Sequence, residues 1–174
     1  MSETAKHRKI AAPYCEGSGI DIGSGGNPVV PWAIQLDLPL HAYMTYNATR
    51  PDGHIHFRGD CRHLPFLDGV LDWVHSSHVL EDFPDWKPVL QEWDRVLKVG
   101  GFLLVAVPDH ARFRAAVARG QGDNLGHKHV GSVGELRAHL SATYHVFMDD
   151  FVSDSPDEYS ILFIGRKHSL WVSP

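Results

Sequence analysis

Ser18-Gly-Ile-Asp-Ile22 is a short apolar run that ends directly in Gly23-Ser-Gly-Gly26, a turn with almost no side chain in it. Glycines reach φ > 0 at low cost, and a turn free of side chains lets a ligand lie against backbone amides. In open α/β sheets, a turn of this kind at the carboxyl end of a strand is where a ligand is held. A glycine turn alone is also compatible with no ligand, so the residues downstream of it have to decide.

The chain beyond the turn alternates strand and helix. Asn27-Pro-Val-Val-Pro31 excludes a long helix after the turn, because Pro31 would break it. Ala33–Leu36 is a second short strand ending in Asp37, and residues 38–53 read as an irregular connection with a helical turn near His41–Tyr46. His54–Phe57 alternates polar and apolar and predicts a third strand, ending at Gly59-Asp60. Val70–His75 predicts a fourth. Val89, Leu90, Trp93, Val96 and Leu97 recur at helical spacing, so Pro84–Lys98 predicts an amphipathic helix stopped by Gly100-Gly101. Phe102–Val107 is unbroken apolar sequence before Pro108, as in a central strand buried on both faces.

Ala111–Arg119 predicts a short helix, and Gly120–Gly131 a loop. Ser132 and Glu135 fit a capping box that opens a helix through Leu140. Tyr144–Phe151 and Tyr159–Gly165 are the last strands. The link between them, Ser153–Asp157, is too short for a crossover helix, so the pair is antiparallel. The expected architecture is α/β: a Rossmann-like three-layer sandwich around a mostly parallel sheet with an antiparallel strand near the C-terminus. Residues 1–174 read as one domain, with residues 1–13 as a polar tail.

Composition narrows the function classes. Sixteen Lys+Arg against 21 Asp+Glu leave a formal charge of −5, which disfavours a nucleic-acid grip built on phosphate neutralisation. Cys15 and Cys61 are too few and too far apart for a disulfide framework or a zinc site. No apolar run approaches the roughly 20 residues of a membrane span, and the N-terminus lacks the apolar core of a signal peptide, so a cytoplasmic setting is expected.

The carboxyl ends of the first three strands carry the glycine turn, Asp37 and Asp60. A carboxylate after the second strand can accept both hydroxyls of a ribose, and one after the third can accept the exocyclic amine of an adenine. Together they describe an adenosine site. A dinucleotide fingerprint would need a third glycine where Pro28 stands and a helix that Pro31 cuts short, and the Gly-Lys-Ser/Thr of a P-loop is missing. A cofactor held by a zwitterionic end and a ribose, S-adenosyl-L-methionine (SAM), suits the arrangement better.

Four segments resemble the class I SAM-dependent methyltransferases, of the methyltransferase type 11 kind. Ile20-Asp-Ile-Gly-Ser-Gly25 is similar to their first motif, and Gly59-Asp-Cys-Arg-His-Leu-Pro-Phe66 to their adenine-binding segment. Leu71–Asp82 resembles the segment leaving their fourth strand. Arg95–Val105 resembles their helix-to-fifth-strand signature, with Val99 where proline is usual. The resemblance implies a seven-stranded sheet. It also implies that Asp21, Gly23, Ser24 and Gly25 shape the methionine pocket, that Asp37 holds the ribose, that Asp60 and Cys61 face the adenine, and that His75 and Ser76 lie near the methionine end. The N-terminal helices usual in the family are reduced to about 15 residues here.

Methyl transfer asks for alignment more than for side-chain chemistry, but a hydroxyl nucleophile gains from a base, and histidine suits that task at neutral pH. His78, His110, His127 and His129 are the candidates, with Glu81 as a carboxylate alternative. His127-Lys-His129 with Asp109, His110 and Asp123 lacks the spacing of a metal site, and no metal is expected. The expected partner is a small-molecule or sugar-like acceptor methylated at oxygen, with oligomerisation left open. The rivals are an inactive methyltransferase-like partner subunit and a nucleotide-dependent oxidoreductase.

Overall fold

The computed structural model describes residues 3–38, 54–120, 133–153, 155 and 158–168. A seven-stranded sheet forms its centre. The strands are β1 (Gly19–Ile22), β2 (Ile34–Asp37), β3 (Phe57–Arg58), β4 (Leu71–Ser77), β5 (Leu97–Pro108), β6 (Tyr144–Phe151) and β7 (Ser160–Lys167), in the spatial order β3-β2-β1-β4-β5-β7-β6. All neighbours run parallel except β7, which is antiparallel to both β5 and β6. The chain turns outward from β1 in both directions, to β2 on one side and β4 on the other. The carboxyl ends of β1 and β4 therefore flank the topological switch point.

Each face of the sheet has its own core. On one face Ile20, Ile22, Val74, Leu103 and Val105 pack with Val89, Leu90, Trp93 and Val96 of one helix, Lys87–Val96, and with Leu136 and Leu140 of another, Val133–Ser141. In chain order the helices are α1 (Glu3–Ala11), α2 (Lys87–Val96), α3 (His110–Ala118) and α4 (Val133–Ser141). Helix α2 forms because Val89, Leu90, Trp93 and Val96 make one apolar stripe, with proline near its first turn where a missing N–H costs nothing. The Trp93 indole N–H donates to the Cys61 carbonyl at 3.1 Å, which ties the helix to the segment after β3. On the other face Trp73, Leu104, Leu162 and Ile164 pack with Ala11, Cys15, Val29 and Val30. Gly19 is required there: a Cβ on it would lie 2.1 Å from the Trp73 ring.

Within the expected polar tail, residues 3–11 form a packed helix. Helix α1 buries Thr4, His7 and Ala11 against the sheet. The spacing of three and four is helical, but the stripe consists of a threonine, a histidine and an alanine, so apolar periodicity does not register it. The predicted third strand is also shorter than expected: β3 holds only Phe57 and Arg58, while His56 bonds back to β2 through its amide and ring. Helix α2 ends at Val96 instead of running to the glycines, which lie inside β5. There Leu97 pairs with Leu71 and Phe102 with Trp73, so Lys98–Gly101 bulge out of register. Helix α3 starts on Asp109, whose carboxylate accepts from the Arg112 amide at 2.9 Å. The helical turn near residues 41–46, Ser132 of the capping box and most of the 120–131 loop lie outside the described residues.

Candidate active site

The ends of β1, β2, β3 and β4 converge on one edge, and the glycine turn lies at its centre. Gly23, Gly25 and Gly26 all have positive φ, at 73°, 58° and 75°. Gly23 is locked by the hydrogen bond its amide N–H donates to the Leu36 carbonyl, and a Cβ there would lie 2.2 Å from Val79. Gly25 differs: among the described residues, a Cβ on it would meet nothing within 4 Å. Its amide donates to Asp37 Oδ2 at 2.8 Å, and the Leu38 amide donates to Asp37 Oδ1 at the same distance. Two backbone bonds thus fix the Asp37 carboxylate, and about half of its four lone-pair positions stay available to ligand hydroxyls. Open space over Gly25 beside that carboxylate fits the ribose and methionine portions of SAM.

Between β1 and β2 the chain forms no helix, and Val29 and Val30 pack into the core. The pyrophosphate of a dinucleotide would find no helix N-terminus there, which speaks against the oxidoreductase reading.

Several expected cofactor residues serve the protein itself. The fully buried Asp21 accepts the Val29 amide at 2.6 Å on one oxygen and faces His75 Nδ1 at 2.7 Å on the other. It braces the turn from below. His75 and Ser76 were expected near the methionine end; their side chains lie buried within the protein. Both ring nitrogens of His75 are engaged, by Asp21 and by His7 Nε2 at 3.0 Å, and Ser76 Oγ donates to the Ile22 carbonyl. Ser24 is also turned inward, its hydroxyl donating to Gln35 Oε1 at 2.9 Å. Burial within the strand pair decides all three cases, since a buried polar group must find a partner where it stands.

Asp60 stands at the edge but is gripped in a fork by the Arg62 guanidinium at 2.6 to 3.0 Å. That hydrogen-bonded pairing holds its carboxyl below the ordinary range. The Cys61 thiol points into the core, where burial pushes it up to about 12.

His78 is the candidate base that the structure elaborates. It follows β4 directly and is the one non-glycine among the described residues with positive φ, 55°. Such a conformation costs of order 1–3 kcal/mol and persists where the surroundings impose it. Nδ1 lies 3.0 Å from Glu81, Nε2 lies 2.9 Å from Ser160 Oγ, and Glu3 stands 3.4 Å from Nε2. Ser160 in turn donates to Glu3 at 3.2 Å. Burial alone would lower the His78 pKa, but the Glu81 and Glu3 carboxylates outweigh it and raise it above its ordinary value. Glu3 and Ser160 reach the site only through tertiary packing, and no local motif marks them. Ser77 Oγ, buried at the end of β4, has no hydrogen-bond partner among the described residues. His110 is exposed at the first position of α3, and His127 and His129 lie outside the described residues.

The strand order, the antiparallel β7 and the loaded carboxyl edge define a class I methyltransferase fold. Residues 20–105 match the family model of the methyltransferase domain. With the fold, this match supports the class I SAM-dependent methyltransferase family for the chain. In structure it is similar to a SAM-dependent methyltransferase from Thermotoga maritima, at 19% identity and a TM-score of 0.68 over 94% of this chain and 89% of that one. It is also similar to an S-adenosylmethionine-dependent methyltransferase from Mesorhizobium loti, at 17% identity and a TM-score of 0.67 over 95% and 98%. A third likeness is to a chain in the Haloferax volcanii complex of a methyltransferase activator with its methyltransferase, at 19% identity and a TM-score of 0.66 over 98% and 92%. In sequence, 57 residues are 39% identical to the demethylmenaquinone methyltransferase of Staphylococcus haemolyticus, a match covering 32% of this chain and 24% of that protein. Among the described residues no helix is long and apolar enough to cross a membrane.

Proposed function

We propose that the chain transfers a methyl group from SAM to a small-molecule or sugar-like acceptor, with oxygen as the acceptor atom. The observation that carries the reading is the pairing of the Gly25–Asp37 cradle with His78 at one sheet edge. When bound, SAM supplies an electrophilic methyl on a sulfonium. Gly23 and Gly25 bring backbone close to its methionine end, Asp37 accepts from the ribose, and Asp60 addresses the adenine. Glu81 orients His78 through Nδ1, and Nε2, which stands 2.9 Å from Ser160 Oγ, would exchange a proton with an acceptor that displaces that hydroxyl. The partial match to a protein named for demethylmenaquinone, a small molecule, agrees with this acceptor class.

A partner-completed form of the same enzyme is a second reading. Among the described residues β3 is a two-residue edge strand with both side chains exposed, and the Haloferax volcanii relative by fold stands in a complex with an activator. The deciding experiment is calorimetry of the chain with SAM and with S-adenosylhomocysteine, followed by methyl-transfer assays on hydroxyl and amine acceptors. Absence of binding to either ligand overturns the SAM reading. Binding with transfer only to amines overturns the choice of oxygen.

A further inference from the structure

We propose that His7 is a positioning residue for the cofactor turn, joining helix α1 to it through a buried chain His7–His75–Asp21–Val29. The inference rests on reading Gly23–Gly26 as the SAM cradle. Asp21 is buried and needs donors; it has the Val29 amide at 2.6 Å and His75 Nδ1 at 2.7 Å. With Nδ1 donating, the neutral His75 ring presents a lone pair at Nε2 and needs a donor there. His7 Nε2, at 3.0 Å, is the group that supplies it.

The roles are therefore fixed along this hydrogen-bonded series, and His7 Nδ1 is left buried as an acceptor with no partner among the described residues. His7 stays neutral in this arrangement. Burial first, and then the neighbouring His75, His78, Arg8 and Lys6, push its pKa down to about 3.

The far end of the chain is the turn itself. Asp21 and Val29 bracket the loop that holds the positive-φ glycines Gly23, Gly25 and Gly26, so the bond between them sets where the turn's amides point. Helix α1 touches the same loop a second time, one residue on: Arg8 donates to Asn27 Oδ1 at 2.5 Å. At its start the helix reaches the other half of the site through Glu3, beside Ser160 and His78. Undocking α1 would strip His75 Nε2 of its donor inside the core and loosen the loop at Asn27. Seating of α1 and binding of the cofactor should then favour one another equally in both directions.

The test compares the unaltered chain with His7→Leu, which removes the donor, and His7→Gln, whose amide can still donate to His75. S-adenosylhomocysteine affinity is measured by calorimetry, and amide hydrogen exchange over residues 3–11 is followed with and without that ligand. The expected result is binding weakened about tenfold by His7→Leu and largely restored by His7→Gln. Ligand-induced slowing of α1 exchange should be seen in the unaltered chain and lost in His7→Leu. If His7→Leu fails to fold, Arg8→Ala serves in its place, with weakened binding at unchanged melting temperature expected. Equal affinity across the variants, or α1 exchange indifferent to the ligand, overturns the inference and leaves the SAM reading intact. Failure of the unaltered chain to bind overturns both.

Discussion

The Nε2 atoms of His7 and His75 stand 3.0 Å apart, and neither ring reaches solvent. A pair of buried imidazoles tolerates little added charge, and His7 is accordingly held neutral, its pKa pushed down to about 3 by burial and by neighbouring positive groups. Unfolding restores the ordinary value near 6.5. Between those limits the unfolded chain binds the extra proton and the folded chain does not. Stability from this residue is therefore full above pH 6.5 and falls as pH drops toward 3, by at most about 1.4 kcal/mol per pH unit. Urea unfolding of the unaltered chain and His7→Gln at about pH 7, 6 and 5 checks this. The variant should show the shallower acid slope.

His78 behaves in the opposite sense. Burial opposes its charge, but Glu81 and Glu3 raise its pKa above 6.5, so its contribution to stability is full below pH 6.5 and is lost as pH rises through the raised value. The same titration should govern catalysis. Below it both ring nitrogens carry protons, directed at Glu81 and Ser160, and no base is available. The methyl-transfer rate should rise with pH through that pKa, and His78→Gln should lower kcat by about a hundredfold or more and flatten the profile. A profile left unchanged by His78→Gln would remove His78 as the base.

A stability prediction belongs to the opposite edge of the sheet. Lys167 Nζ is buried and donates to Asp94 Oδ2 at 2.8 Å and to the carbonyls of Asp94 and Leu97, while the Tyr144 hydroxyl donates to Asp94 Oδ1 at 2.6 Å. The triad joins α2 to β6 and β7. Removing one member strands a buried charge, so Lys167→Met should cost about 3–5 kcal/mol, while Tyr144→Phe, which leaves the ion pair intact, should cost only about 1–2 kcal/mol. Denaturant unfolding of the two variants measures the difference.

The frame of the fold could be read from the chain because its signals are local. The run Phe102–Val107, the α2 stripe and the short link before β7 each announce their element within a few residues. Helix α1 could not be read this way, because its buried stripe is Thr4, His7 and Ala11, and His7 finds its partner only in His75 of β4. The site divides similarly. Gly25 and Asp37 stand at strand ends, and the bond between them joins those two ends. His75 and Ser76 stand in an equally suggestive motif, yet strand alternation and β1 pairing turn their side chains into the protein. Glu3 and Ser160, 157 residues apart, meet at His78 through packing that no sequence spacing encodes.

Asp37 is the residue whose loss should separate binding from folding. Its carboxylate accepts from the Gly25 and Leu38 amides and still has lone pairs for a ribose. Asp37→Ala removes both functions and should weaken S-adenosylhomocysteine binding by about 1–3 kcal/mol, read by calorimetry. Asp37→Asn keeps one acceptor oxygen, and its affinity should fall between those of Asp37→Ala and the unaltered chain.

The two glycines of the turn make the sharpest contrast. Alanine at Gly23 would drive its Cβ to 2.2 Å from Val79 Cγ2 in a left-handed backbone, so Gly23→Ala should damage the fold itself and lower the melting temperature. Alanine at Gly25 would meet no atom of the described residues within 4 Å, so its folding cost there is that of the 58° φ, about 1 kcal/mol. The methyl of Gly25→Ala would nevertheless stand in the space assigned to the cofactor, beside Asp37. Thermal unfolding and S-adenosylhomocysteine calorimetry on both variants should show stability lost mainly at Gly23 and affinity lost at Gly25 with the fold retained. Full affinity in Gly25→Ala would place the ligand elsewhere on the sheet edge.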